Sequence, residues 1–159
     1  MNLKRIFVYW SEPYAIKYCL KENVYNLCKD TPKEISQSFG VYQIYGDHPI
    51  YGLNVLLYIG MTQLSNKRNF EKRIQEHLDG RFWQHHGLSV RFGEIYHKQD
   101  LVTDVQQIKD VESLLIASNM PALNRHNIDK ASNSCTNLLV RNDGFRGSIV
   151  PECSGEFWC

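Results

Sequence analysis

The sequence predicts an α+β fold: a three-stranded antiparallel sheet flanked by helices, with N-terminal and C-terminal extensions. Three observations carry that expectation. Two short runs of β-branched and aromatic residues, Gly40–Tyr45 and Val55–Gly60, are separated by a stretch containing Gly46, Asp47, Pro49, Gly52 and Asn54. Neither run absorbs those residues easily, so the pair reads as a hairpin with a long loop. A third run, Ser89–His97, alternates well enough for another strand, with Val90, Phe92 and Tyr96 on one side. Between and after the strands lie two stretches with apolar residues at helical spacing, one opening at Asn69 and one at Thr103.

Bulk properties narrow the class. At 159 residues the chain suits one domain, since domains commonly hold about 100–150 residues. The expected division is residues 1–38 as an N-terminal extension, 39–127 as the main domain and 128–159 as a C-terminal extension packed on it. A formal net charge of +1, with charges mixed rather than blocked, excludes a surface that is basic throughout; any phosphate binding must be local. The apolar run Ile6–Trp10 is too short for a signal peptide, and nothing approaches the ~18 apolar residues of a membrane span. A cytoplasmic protein with no membrane partner is the expectation. The five cysteines, Cys19, Cys28, Cys135, Cys153 and Cys159, form no C-x-x-C pair and read as free thiols. A zinc site joining Cys135, Cys153 and Cys159 to His126 is the lesser reading.

Along the chain, Ile6–Trp10 reads as a short strand, and Ser11 as the cap of a helix containing Ile16, Cys19 and Leu20. In the hairpin, alternation puts Val41, Gln43 and Tyr45 on one face and Tyr42 with Ile44 on the other; in the second run Leu56, Tyr58 and Gly60 lie opposite Leu57 and Ile59. Each strand can thus point one tyrosine at a common surface. Asn69 caps a helix whose stripe is Phe70, Ile74 and Leu78, ending near Asp79-Gly80. His77 lies almost on that stripe and Arg73 at its edge. A cation and an imidazole at a core margin need an anion or a hydrogen-bond partner. Lys67, Arg68, Lys72 and Arg81 add local positive charge suited to a phosphodiester backbone.

The second helix opens with a Thr103-x-x-Gln106 capping box and closes before Pro121. Its buried arc is Val105, Ile108, Val111, Leu115 and Ile116, and Glu112 projects into the middle of it. A carboxylate there must be neutralised, paired or metal-bound. A salt bridge to an arginine, such as Arg73, is the structural solution; taken with the two tyrosines and with Arg73 and His77, a metal-binding role is the expectation. In the tail, Asn137–Val140 and Phe145–Val150 read as a hairpin across Asn142-Asp143-Gly144. The adjacent His85 and His86 diverge and are not a metal pair.

Gly40-Val41-Tyr42 followed by Tyr58-Ile59-Gly60 resembles the paired signature of the GIY-YIG endonuclease family, with Val41 where isoleucine is usual. Phe70–His77 is similar to the family's first helix with its arginine and histidine, Val111–Ile116 to the later helix with its glutamate, and Pro121–Asn124 to the closing asparagine. The segment between the tripeptides is longer than usual through His48–Gly52. The resemblance implies a small GIY-YIG domain and a metal-dependent endonuclease that hydrolyses DNA. It implies Tyr42 or Tyr58 as general base, His77 as proton relay, Arg73 against the non-bridging oxygens and Asn124 in support. It also implies Glu112 as ligand of a single Mg²⁺, with Mn²⁺ as substitute. Gly60 would let substrate approach the backbone, and Lys67, Arg68 and Lys72 would hold it. A non-catalytic DNA- or protein-binding module on the same fold, and an RNA-directed nuclease, are the alternatives.

Overall fold

The computed structural model describes residues 3–27, 30–63, 69–78, 82 and 85–159. Among them, one mixed sheet of nine strands replaces the expected three, with four helices around it. In chain order these are β1 (Lys4–Trp10), β2 (Tyr14–Cys19), β3 (Val24–Leu27), α1 (Lys33–Ser36), β4 (Gly40–His48), β5 (Gly52–Thr62) and α2 (Phe70–His77). Then follow β6 (Ser89–His97), β7 (Asp100–Leu101), α3 (Val105–Asn119), a 3-10 turn at Asn133–Cys135, β8 (Leu138–Gly144), β9 (Glu152–Ser154) and α4 (Gly155–Trp158). No helix among the described residues is long and apolar enough to cross a membrane.

The expected core of β4, β5 and β6 is present and antiparallel, with Tyr42 opposite Gly60 on one side and Phe92 on the other. The correction comes from the flanks. Strand β1 pairs antiparallel with β6 and, along its other edge, parallel with β8, from Lys4 opposite Leu138 to Trp10 opposite Gly144. Parallel neighbours need a distant crossover, which no local pattern announces. The Trp10 indole donates to Asn142 Oδ1 at 2.9 Å, and Asn142 Nδ2 donates to the Val150 carbonyl at 2.9 Å, so a buried polar contact locks the register. Phe145–Val150 is not a strand; β8 takes β9 as its antiparallel partner.

Where a helix was expected after Ser11, Tyr14 and Ile16 are buried while Ala15 and Lys17 are exposed, a period of two, and β2 pairs with β3 and β6. The hairpin loop is also shorter than expected. Asp47 Oδ1 accepts the Asn54 N–H at 3.0 Å, and His48 Nδ1 accepts the Ile50 and Tyr51 N–H groups at 3.1 and 3.3 Å. These side chains finish a tight tip and let Gly46, Asp47, Gly52 and Asn54 stay within the strands. Ile44 faces Tyr58 and Tyr45 faces Leu56, so Leu57 is an extra residue in a bulge.

Helix α2 begins as expected, with the Asn69 side chain accepting from Lys72 N–H at 3.0 Å; its end at Asp79-Gly80 lies outside the described residues. Helix α3 is capped one residue later than expected, by Asp104 accepting from Gln107 N–H at 3.0 Å. The two helices sit on opposite faces of the sheet. Phe70 and Ile74 of α2 pack with Tyr42, Ile44, Leu57 and Phe92. Ile108, Val111, Leu114 and Leu115 of α3 pack with Ile6, Val8, Val41 and Ile59. Each such side chain contributes roughly 1.5–3 kcal/mol on burial.

Candidate active site

The hairpin register places Tyr42, Ile44, Tyr58 and Gly60 on the α2 face. Tyr42 is wholly buried and Tyr58 half-buried. Their ring centroids are 6.2 Å apart, and His77 of α2 lies 4.8 Å from Tyr58 and 6.1 Å from Tyr42. The Tyr42 hydroxyl has no hydrogen-bond partner among the described residues. Burial pushes its pKa well above the usual phenol value and Tyr58 adds to that; Arg73 pulls it down from a position short of well-formed hydrogen-bond geometry.

Arg73 projects from α2 and donates from Nη1 to Glu76 Oε2 at 2.9 Å. It also borders a cavity of about 400 Å³ shared with Thr62, Gln63, Lys109, Glu112 and Asn127. The sheet rim between α2 and α3 is therefore where the two faces communicate. Glu112 forms no ion pair among the described residues, so the structural alternative to a metal, a salt bridge to Arg73, is not made. Burial raises the Glu112 carboxyl to about 7, against partial relief from Arg73 and Lys109. Its charge in turn raises the pKa of Tyr42. Arg73 and Glu112 thus open onto one hollow; Tyr42, Tyr58 and His77 are not among the residues that line it, and the two charges reach the phenols through their opposite effects on Tyr42.

Gly60 and Asn124 stand behind this hollow. A Cβ at Gly60 would overlap the Tyr42 hydroxyl and approach Tyr58 Cε1 to 2.8 Å, so the space over Gly60 already holds the phenol. Asn124, buried, accepts the Ile59 N–H at 2.9 Å and donates to the Ile59 carbonyl at 2.9 Å. With the Leu123 N–H donating to the Leu57 carbonyl at 2.8 Å, it satisfies the outer edge of β5 and fixes Tyr58 between two anchored residues. Lys72 is exposed on α2. Lys67, Arg68 and Arg81 lie outside the described residues. Sequence reasoning missed Lys109, which the i, i+3 spacing to Glu112 on one helix face would have exposed, and Gln63 and Asn127, which no local signal marks.

Among the described residues no group of three or more His, Cys, Asp and Glu is arranged for a metal, and Cys135, Cys153, Cys159 and His126 give none. The donor set on the cavity still fits a hard divalent ion. Glu112 is a carboxylate whose burial resists its charge, without an ion-pair partner among the described residues, on a hollow with room for the waters such an ion retains. Compared with protein-family models, with curated proteins and with solved structures, the chain matches none.

Proposed function

We propose that the protein is a metal-dependent endonuclease that hydrolyses DNA phosphodiester bonds, as the GIY-YIG enzymes that its motifs resemble do. The observation that supports this most is the shared cavity: Arg73 and Glu112, from helices on opposite faces of the sheet, border one hollow, and both charges act on the Tyr42 phenol, which packs with Tyr58 and His77.

Phosphodiester hydrolysis needs a proton acceptor for the attacking water, positive charge at the phosphorane and help for the departing 3′ oxygen. Tyr58 is the accessible phenol and the better candidate for the water's proton, with His77 4.8 Å away to pass it on. Tyr42, buried and held neutral by its surroundings, serves to position Tyr58 rather than to accept a proton. The planar fork of Arg73 suits the non-bridging oxygens. Glu112 would hold the Mg²⁺ or Mn²⁺, which supplies Lewis-acid charge to the leaving group. Lys67, Arg68 and Lys72 would lie along the flanking backbone, and Gly60 and Asn124 keep β5 in place.

The test is plasmid nicking by the wild-type chain and Glu112→Ala, with Mg²⁺ or with chelator. Loss of nicking in the variant and in chelator is the expected result; equal activity in all samples rejects the proposal. Burial of Tyr42 favours a second reading, a module that binds duplex DNA or a protein without cutting. Binding to duplex with no nicking under any metal would establish it. Offering RNA beside DNA separates an RNA-directed nuclease from both.

A further inference from the structure

Beneath the cavity wall, α4 and the 3-10 turn bring two cysteines together against α3. Cys135 is fully buried; its thiol donates to the Asp110 carbonyl at 3.2 Å and its N–H donates to the Ser132 carbonyl at 2.9 Å. The thiol of Cys159 donates to the same Ser132 carbonyl at 3.0 Å. One oxygen therefore gathers the backbone of one cysteine and the sulfur of the other. The approach is built into the backbone: a Cβ at Gly155 would run into the Cys135 carbonyl, and the Cys159 N–H donates to the Gly155 carbonyl at 2.9 Å. Burial pushes the Cys135 thiol to about 12, and the neighbouring Cys159 adds to this. Ser132, which links them, also lines the cavity and donates its N–H to Ser113 Oγ at 2.8 Å.

We propose that Cys135 and Cys159 are a redox pair, which a low-molecular-weight disulfide oxidises to an intramolecular disulfide that ties α4 to the wall of the Glu112 cavity. The inference stands apart from the nuclease reading. Cys159, half-buried, attacks one sulfur of the small disulfide, forming a mixed disulfide and releasing one small thiolate. Cys135 then attacks the Cys159 sulfur and releases the second. The two protein thiols lose two electrons, the small disulfide gains them, and both protons end on the released thiols. The buried thiol is the harder to ionise, so the second step is the slow one. A mixed disulfide on Cys159 appears first and decays into the internal bond. The bond replaces the thiol donations to the carbonyls of Asp110 and Ser132, two residues that line the cavity.

The experiment is equilibration of the full chain in a buffer of oxidised and reduced glutathione, followed by alkylation, digestion and mass spectrometry. The expected product is a peptide joining Cys135 to Cys159, removed by dithiothreitol, absent in Cys159→Ser and retained in Cys153→Ser. A glutathione adduct that remains on Cys159 at equilibrium while Cys135 stays alkylatable after unfolding would overturn the proposal. So would a bridge from either residue to another cysteine, or two thiols that stay reduced throughout. Because the wild-type chain carries the primary readout, the result does not hinge on how a buried Cys135 variant folds.

Discussion

On the α2 face the sheet is covered by rings: Tyr42, Phe70, Phe82 and Phe92 are buried there, with Tyr58 and His77 at the margin. On the α3 face the cover is almost wholly aliphatic, from Ile6, Val8, Val41 and Ile59 to Ile108, Val111 and Leu115. The aromatic face buries a polar atom outright. Aromatic side chains bury some 150–250 Å² each, enough to outweigh the roughly 1–3 kcal/mol of a hydroxyl without a partner. The aliphatic face cannot do the same with a full charge, and Glu112 sits at its rim, open to the cavity. The proposed chemistry thus falls at the seam between the faces, with a neutral phenol on one side and a reluctant carboxylate on the other.

The largest expected effect tests the carboxylate side. Glu112→Ala should lower the nicking rate on the order of 10³-fold with Mg²⁺ present, read from initial rates on supercoiled plasmid. Retained activity would move the chemistry away from the seam. The same group should shape stability. Its folded pKa, about 7, stands above the ordinary 4.5, so between those values the unfolded chain is the more readily ionised state. Stability is then full below pH 4.5 and falls as pH rises to about 7, by on the order of 3 kcal/mol. Denaturant titrations across that window should show the fall in the wild type and a flatter profile in Glu112→Gln. Added Mg²⁺ should recover stability chiefly above pH 7, where the carboxylate is charged.

Tyrosine substitutions sharpen the contrast within the aromatic face. Tyr58→Phe should cost about 10²-fold in nicking rate, whereas Tyr42→Phe should leave the rate near wild type and raise stability by about 1 kcal/mol, since it removes a buried hydroxyl that has no hydrogen-bond partner among the described residues. The reverse pattern would assign proton transfer to the buried ring. The smallest effect concerns packing. Gly60→Ala drives a methyl group into the Tyr42 phenol and should cost about 1–3 kcal/mol in thermal or chemical unfolding. In a Tyr42→Phe background part of that loss should return; an additive double variant would mean that strand β5 shifts instead.

Much of this seam was legible in the sequence because it is encoded locally. The alternation that sets Tyr42 and Tyr58 on one face, the stripe of Phe70 and Ile74, the Asn69 cap and the placing of Glu112 on a buried helical arc are periodicities within single segments. The misread parts depend on partners elsewhere. Ile16, Cys19 and Leu20 fit a helical spacing, but Leu20 is 88% exposed and Tyr14 with Ile16 follow the strand period once β6 lies beside them. Asp47 reads locally as a strand breaker and His48 as part of a longer loop, yet both satisfy the backbone that closes a tight tip. Tyr42 and Tyr58 are equivalent by motif, and only the packing of α2 makes one buried and the other accessible. The missing Arg73–Glu112 ion pair has the same origin, since Glu76, one turn along α2, takes the guanidinium first.

The position of β1 has a further consequence for how the chain is made. Both of its neighbours come from far downstream, and the contact between Trp10 and Asn142 joins residues 132 positions apart. At a ribosomal pace of about 5–20 residues per second, the apolar segment Ile6–Trp10 waits on the order of ten seconds before its parallel partner has emerged. A newborn chain therefore carries an open, greasy strand edge until β8 emerges, and refolding belongs with slow topologies that close in milliseconds to seconds rather than microseconds.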